Sequence, residues 1–162
     1  MSMNEILATI RDFPGVLELA PMPGSDHPEL SWGDHFFYWA PDGAVPRNRQ
    51  PYATIVTKDY PGDDASRLDD PGRWRLNVHV GSKRFAELVG HTPRESDAES
   101  VDFAATDTFF PHPVYGAAGW VAVVNPGPRT TARALAVLRE AHDADRCRTE
   151  RRSTDRRPRP GD

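Results

Sequence analysis

The segment Arg73-Trp74-Arg75-Leu76-Asn77-Val78-His79-Val80 sets guanidinium, amide and imidazole groups at every second position. In a strand, that spacing puts Trp74, Leu76, Val78 and Val80 on one face and Arg73, Arg75, Asn77 and His79 on the other. The first set suits a core. The second suits either the solvated side of a sheet or a wall for a polar or anionic ligand, because guanidinium forks match carboxylate and phosphate oxygens. Two further segments could complete such a wall. Lys58-Asp59-Tyr60 opens a polar loop that continues through Asp63, Asp64, Ser66, Arg67 and Asp69. It can serve as a ligand rim, or as a connector held by Asp–Arg pairs and Asp-capped turns. His112, between Pro111 and Pro113 and ahead of Tyr115, is held rigidly. A fixed imidazole suits a general acid or base, and this loop equally suits a plug for the end of the sheet.

Three uses of these residues follow. In a binding module, Arg75, Asn77 and His79 form a floor, Lys58, Asp59, Tyr60 and Arg67 a rim, and His112 with Tyr115 the far wall. A cofactor-independent enzyme would use the same cavity, with His79 or His112 as acid–base residue and Arg75 stabilising developing negative charge. An interaction protein would instead use the aromatic run from Trp32 to Trp39, where Phe36 and Tyr38 share one face and Phe37 and Trp39 the other. One of those faces should be core, and the other could line a pocket or a homodimer contact.

Several alternatives lack their signatures. His35, His79 and His112 could meet Asp34 only across separate elements, and no His-Glu-x-x-His or paired-cysteine spacing is present, so no metal is expected. The acids of the 59–69 loop do not follow EF-hand spacing. Asn125-Pro126-Gly127-Pro128-Arg129-Thr130 could offer backbone amides to an anion. It has too few glycines for a dinucleotide or Walker-type loop, and no cofactor is expected.

The elements that must position these residues are legible from period and punctuation. Ser2 and Glu5 have capping-box spacing ahead of Ile6, Leu7, Ile10 and Phe13, and Pro14-Gly15 ends that helix. Strands are expected over residues 16–19, 35–39, 52–58, 73–80 and 120–124, with a polar loop over 59–72. A second helix begins at Ser82, residues 90–108 read as a loop with at most one helical turn, and a last helix runs from Thr130 or Thr131 to about Ala144. The order α-β-β-β-β-α-β-α does not alternate regularly. It points to an α+β fold, an antiparallel sheet of about five strands with helices packed on one face.

The chain has 162 residues and 27% charged side chains, which suits a single domain with its own core. Residues 146–162 carry seven arginines against three acids, a net of +4, leaving residues 1–145 with thirteen basic and twenty-one acidic side chains, a net of −8. The expected organisation is one domain over residues 1–145 and a disordered, arginine-rich tail over 146–162. An acidic body repels polyanions, so nucleic acid is the least favoured partner. No apolar run is long enough for a membrane span, no secretion signal is visible, and Cys147 is the only cysteine; a cytoplasmic location is the expectation.

Several longer words resemble an actinobacterial family of uncharacterised proteins, domain of unknown function 6194. They are Trp32-Gly33-Asp34 with Phe36-Phe37-Tyr38, the run from Tyr52 to Gly62, Ser66-Arg67-Leu68-Asp69, Arg75-Leu76-Asn77, His112-Pro113-Val114-Tyr115-Gly116, Gly119-Trp120, Asn125-Pro126-Gly127-Pro128 and Ala141-His142-Asp143. That resemblance implies no activity. A more distant similarity to MmcQ/YjbR-like proteins rests on the order of a helix ending in Pro-Gly, a sheet, a helix, a strand introduced by Trp, and a closing helix. Some of those proteins are described as DNA-binding, but Ala118-Gly119 stand here where a Lys-His pair often precedes the Trp. The similarity therefore bears on the fold.

Overall fold

The computed structural model describes residues 2–95 and 100–155. Helix α1 spans Met3–Arg11 and begins on the expected capping box: Ser2 Oγ accepts from Glu5 N at 3.3 Å, and Ser2 N donates to Glu5 Oε2 at 2.7 Å. Strands β1 (Val16–Leu19), β2 (His35–Trp39), β3 (Ala53–Val56) and β4 (Arg75–His79) follow, then α2 (Gly81–Val89), β5 (Phe109–Pro111), β6 (Trp120–Val124) and α3 (Thr131–Asp155). The six strands pair antiparallel in the order β1-β2-β3-β4-β6-β5, and a single parallel bridge joins Thr106 to Val124. The class is α+β. The sheet has one strand more than expected, because Phe109–Pro111, just beyond the expected loop, pairs with β6. Of that loop, residues 96–99 lie outside the described residues.

Registration of the strands divides the sheet cleanly. Leu76 and Val78 of β4 face the helices with Phe37, Ala53, Ile55, Val121 and Val123, and pack against Ile6, Ile10, Phe85, Val137 and Leu138. Their neighbours Arg75, Asn77 and His79 lie opposite Val124, Ala122 and Trp120 on β6, and cross-strand partners share a face. The alternation over 74–80 thus sets up a core side and a helix-free side, as its period requires.

Helix α3 begins at Thr131, where expected, and departs from expectation in what caps it and where it ends. At its start, the capping group is remote in sequence. Asp107 accepts from Gly127 N (2.8 Å), Arg129 N (2.9 Å), Thr130 N (3.0 Å) and Thr130 Oγ1 (2.6 Å), so its carboxylate takes the place of an external anion. Partial burial works against ionisation, but the Thr130 hydroxyl and these backbone amides hold Asp107 at about 2. Replacing Asp107 with Ala should destabilise the protein by about 1–2 kcal/mol. A thermal melt would then show a midpoint several degrees lower; an unchanged midpoint would mean the cap is dispensable.

At its far end, α3 does not stop near Ala144 but continues to Asp155, so residues 146–155 are helical rather than tail. Residues 156–162, the remainder of the expected tail, lie outside the described residues. The physical reason is a polar anchor. Asp145 is buried, accepting from Trp39 N at 2.9 Å and from Arg49 Nη1 at 2.5 Å, while Arg49 Nη2 also donates to Trp39 O. Beyond it, no Gly or Pro interrupts the helix before Pro158, and Arg146 pairs with Glu150 at 3.1 Å.

Candidate functional site

Half of the helix-free face is closed. Residues of the 59–73 loop, together with Val101 and Phe103, cover Val56, Phe110, Ala122 and Val124, with Leu68 inserted among them. Arg75 lies at the margin of this cover, only 1% exposed. Its guanidinium grips Asp63 with two bonds, Nη1 to Oδ1 at 2.9 Å and Nη2 to Oδ2 at 2.5 Å. Nη1 also donates to Ser66 Oγ (3.0 Å) and Nε to Asn77 Oδ1 (2.8 Å), and Asn77 in turn donates to Thr54 Oγ1 at 3.0 Å. Burial alone would raise the Asp63 carboxyl; the Arg75 fork overcomes it and holds the group below its ordinary value, with a smaller push from His112.

His112 completes this buried cluster. Its Nδ1 accepts from Val114 N and Tyr115 N, both at 3.0 Å, and its Nε2 lies 3.3 Å from Arg75 Nη2 and 3.9 Å from Asp63 Oδ2. Two backbone amides commit Nδ1 as acceptor, so the neutral ring carries its proton on Nε2; the partners assign this tautomer. Burial first, and the Arg75 charge second, lower His112 to about 4 despite Asp63. At neutral pH the ring is therefore uncharged.

Lys58 and Tyr60 belong to a different knot. The carboxylate of Asp34, fully buried, accepts from Thr57 N (2.8 Å), Thr57 Oγ1 (2.7 Å), Lys58 Nζ (3.1 Å) and the Tyr60 hydroxyl. Lys58 Nζ also donates to Trp32 O at 2.6 Å. Burial, then the bond to Asp34, raises the Tyr60 phenol, keeping it protonated as the donor this contact needs. Within the loop, Asp59 accepts from Leu68 N at 2.7 Å and Asp69 from Asp59 N at 3.0 Å, while Arg67 pairs with Asp70 on the surface. Lys58, Asp59 and Tyr60 thus hold a structured cover in place through bonds to the protein itself, and Arg67 pairs with Asp70 on its outer side.

The other half of the helix-free face is open, and His79 and Tyr115 border it. His79 Nε2 bonds the Ala118 carbonyl at 3.1 Å, and its ring packs on Trp120 with centroids 5.6 Å apart. It lines a cleft of about 280 Å³ between this end of the sheet and α3, together with Arg49, Asp145, Arg148 and Arg152. Burial first, then the Arg148 charge, lowers His79. Arg49 is paired with Asp145, and Arg148 reaches the same carboxylate only at 3.7 Å, its side chain 45% exposed. Three arginines against one aspartate give the cleft a net charge of +2 with His79 neutral. A second, larger cavity of about 410 Å³ adjoins it over Phe36 and Tyr38, with Tyr115 and Trp120 in its walls.

The expected floor and far wall are therefore split. Arg75, Asn77 and His112 meet in one buried cluster, whereas His79 faces a separate cleft beyond Asn77. His35 turns to Glu18 at 3.3 Å, and among the described residues no three His, Cys, Asp or Glu side chains are grouped as a metal ion would require. Among the described residues, the exposed large apolar side chains are Met22, Leu30, Val45, Val114 and Tyr115, none within residues 32–39; of the aromatic run, Phe36 and Tyr38 line the larger cavity.

The sequence model of a family of unknown function, DUF6194, matches residues 1–154. The chain belongs to that family. No curated protein and no solved structure matches it. The span shared with DUF6194 takes in all of α3 but its last residue, and so includes the cleft arginines Arg148 and Arg152. Those two, with Arg49 and Asp145, escaped the sequence reading. The signal was present: Asp145, Arg148 and Arg152 recur at helical intervals of three and four, which stacks them on one face once the helix is granted.

Proposed function

We propose that this DUF6194 protein binds a small phosphate-bearing ligand in the cleft between α3 and the His79 end of the sheet. The observation that carries the reading is the charge of the lining. With Arg49 matched by Asp145, the unmatched charge equals that of a phosphomonoester dianion near neutral pH. Arginine forks donate in the geometry phosphate oxygens accept, and Asn48 and Gln50 add amide donors at the rim. The acidic remainder of the chain argues for a small anion over a polyanion.

Titration with inorganic phosphate at pH 7, followed by calorimetry and by the His79 ring resonances, tests this. Saturable binding is expected, with His79 becoming easier to protonate as the dianion offsets Arg148. Loss of a charge-assisted hydrogen bond costs about 1.5–3 kcal/mol, so Arg148→Ala and Arg152→Ala should each weaken binding by about tenfold or more. Unaltered affinity in the double variant would remove the cleft from consideration.

A further inference from the structure

Resting on the phosphate reading above, we propose that the ligand also carries a flat aromatic group, and that this group occupies the cavity beside the arginine cleft. Continuity is the first support. Gln50, Pro51 and Trp120 stand in the walls of both spaces, so one ridge separates them and a single molecule can lie across it. The second support is the contrast in chemistry. The larger cavity has Phe36 and Tyr38 on its floor, Leu19 and Pro21 at one side and Tyr115 at another, and its lining contains no Asp, Glu, Lys or Arg. A largely aromatic compartment, with His27 in its wall, next to a cleft of net +2 matches a molecule with a planar body and an anionic end.

Tyr115 adds a third point. The residue is 54% exposed, yet it is not loosely hung: its backbone N–H donates to His112 Nδ1 at 3.0 Å, and the two rings pack at a tilt with centroids 5.0 Å apart. A large aromatic side chain held at the mouth of an aromatic cavity gains by covering a flat ligand and has little else to bury against. At about 410 Å³ the space has the size of a small-molecule site. The class indicated is an aryl or heteroaryl phosphomonoester.

Calorimetric titration of the full chain with inorganic phosphate, phenyl phosphate and phenol at pH 7 decides the matter. Stacking of one ring should make phenyl phosphate bind about five- to a hundredfold tighter than inorganic phosphate. Tyr115→Ala and Phe36→Ala should bring that ratio toward one. Equal affinities for the two phosphates would overturn the aromatic assignment and leave the phosphate cleft standing. Phenol binding as tightly as phenyl phosphate would show that the compartments act separately, which also overturns it. No binding of either phosphate would sink the cleft itself, and this inference with it.

Discussion

Arg75→Met should cost about 3–5 kcal/mol of folding stability, the range for breaking one half of a buried ion pair. The guanidinium holds three partners at once: the Asp63 carboxylate by two bonds, Ser66 Oγ and Asn77 Oδ1, with the neutral His112 ring packed beside it. Methionine fills the stem of that space but satisfies none of them. Asp63 would be left as a largely covered charge with no counterion, and the 59–73 loop would lose one of its ties to the sheet. Proteins of this size have about 5–15 kcal/mol in total, so urea unfolding should show a large fall in midpoint. The double variant Asp63→Leu/Arg75→Met separates the pair from the packing, because a removed pair leaves no stranded charge. It should recover most of the loss. A cost below about 1 kcal/mol for the single variant would show that water reaches Asp63 freely.

Acidification should weaken the fold between pH 6.5 and 4, before most carboxylates titrate. His112 ordinarily takes up its proton near 6.5, but in the folded protein only near about 4. Within that interval the unfolded chain binds a proton that the native state refuses, so stability is complete above the upper value and falls as pH is lowered. The difference amounts to roughly 3 kcal/mol from this one ring. His79 and His142 are shifted in the same direction, each chiefly by burial, and steepen the decline. Asp63, whose folded value is depressed, contributes stability that is lost only at lower pH, below its ordinary 3.8. Denaturant unfolding at half-unit pH steps would trace both ranges. His112→Asn keeps an oxygen acceptor for the Val114 and Tyr115 amides and removes the titrating ring, so its stability should vary less across the upper range. An identical slope in that variant would assign the acid sensitivity elsewhere.

How much could be read beforehand depended on whether the signal was apolar and periodic. Residues 74–80 disclosed their strand and both of its faces, because Leu76 and Val78 alternate with polar neighbours. Phe36, Phe37 and Tyr38 likewise sorted to the faces they occupy. Strand β5 stayed hidden because three residues ending in a proline carry too little alternation. The burial of Arg75 was not legible either: its cover comes from a loop whose acids and hydroxyls look solvated until Asp63 and Ser66 are seen to turn inward. The second half of α3 was missed for the same reason. Residues 146–155 offer nothing apolar to pack, and what fixes the helix ahead of them is a carboxylate, Asp145, bonded to a backbone amide and an arginine that lie far away in the chain. Part of the cleft was lost with that helix.

The strand order has a consequence for self-association. The outermost ribbons of the sheet are β1, four residues long with Glu18 salt-bridged to Arg11, and β5, three residues long and ending in Pro111, which has no amide to donate. Neither offers the long, flat row of unpaired backbone groups on which a second molecule could add by strand extension. If two copies associate, they must do so through side chains on a face of the molecule.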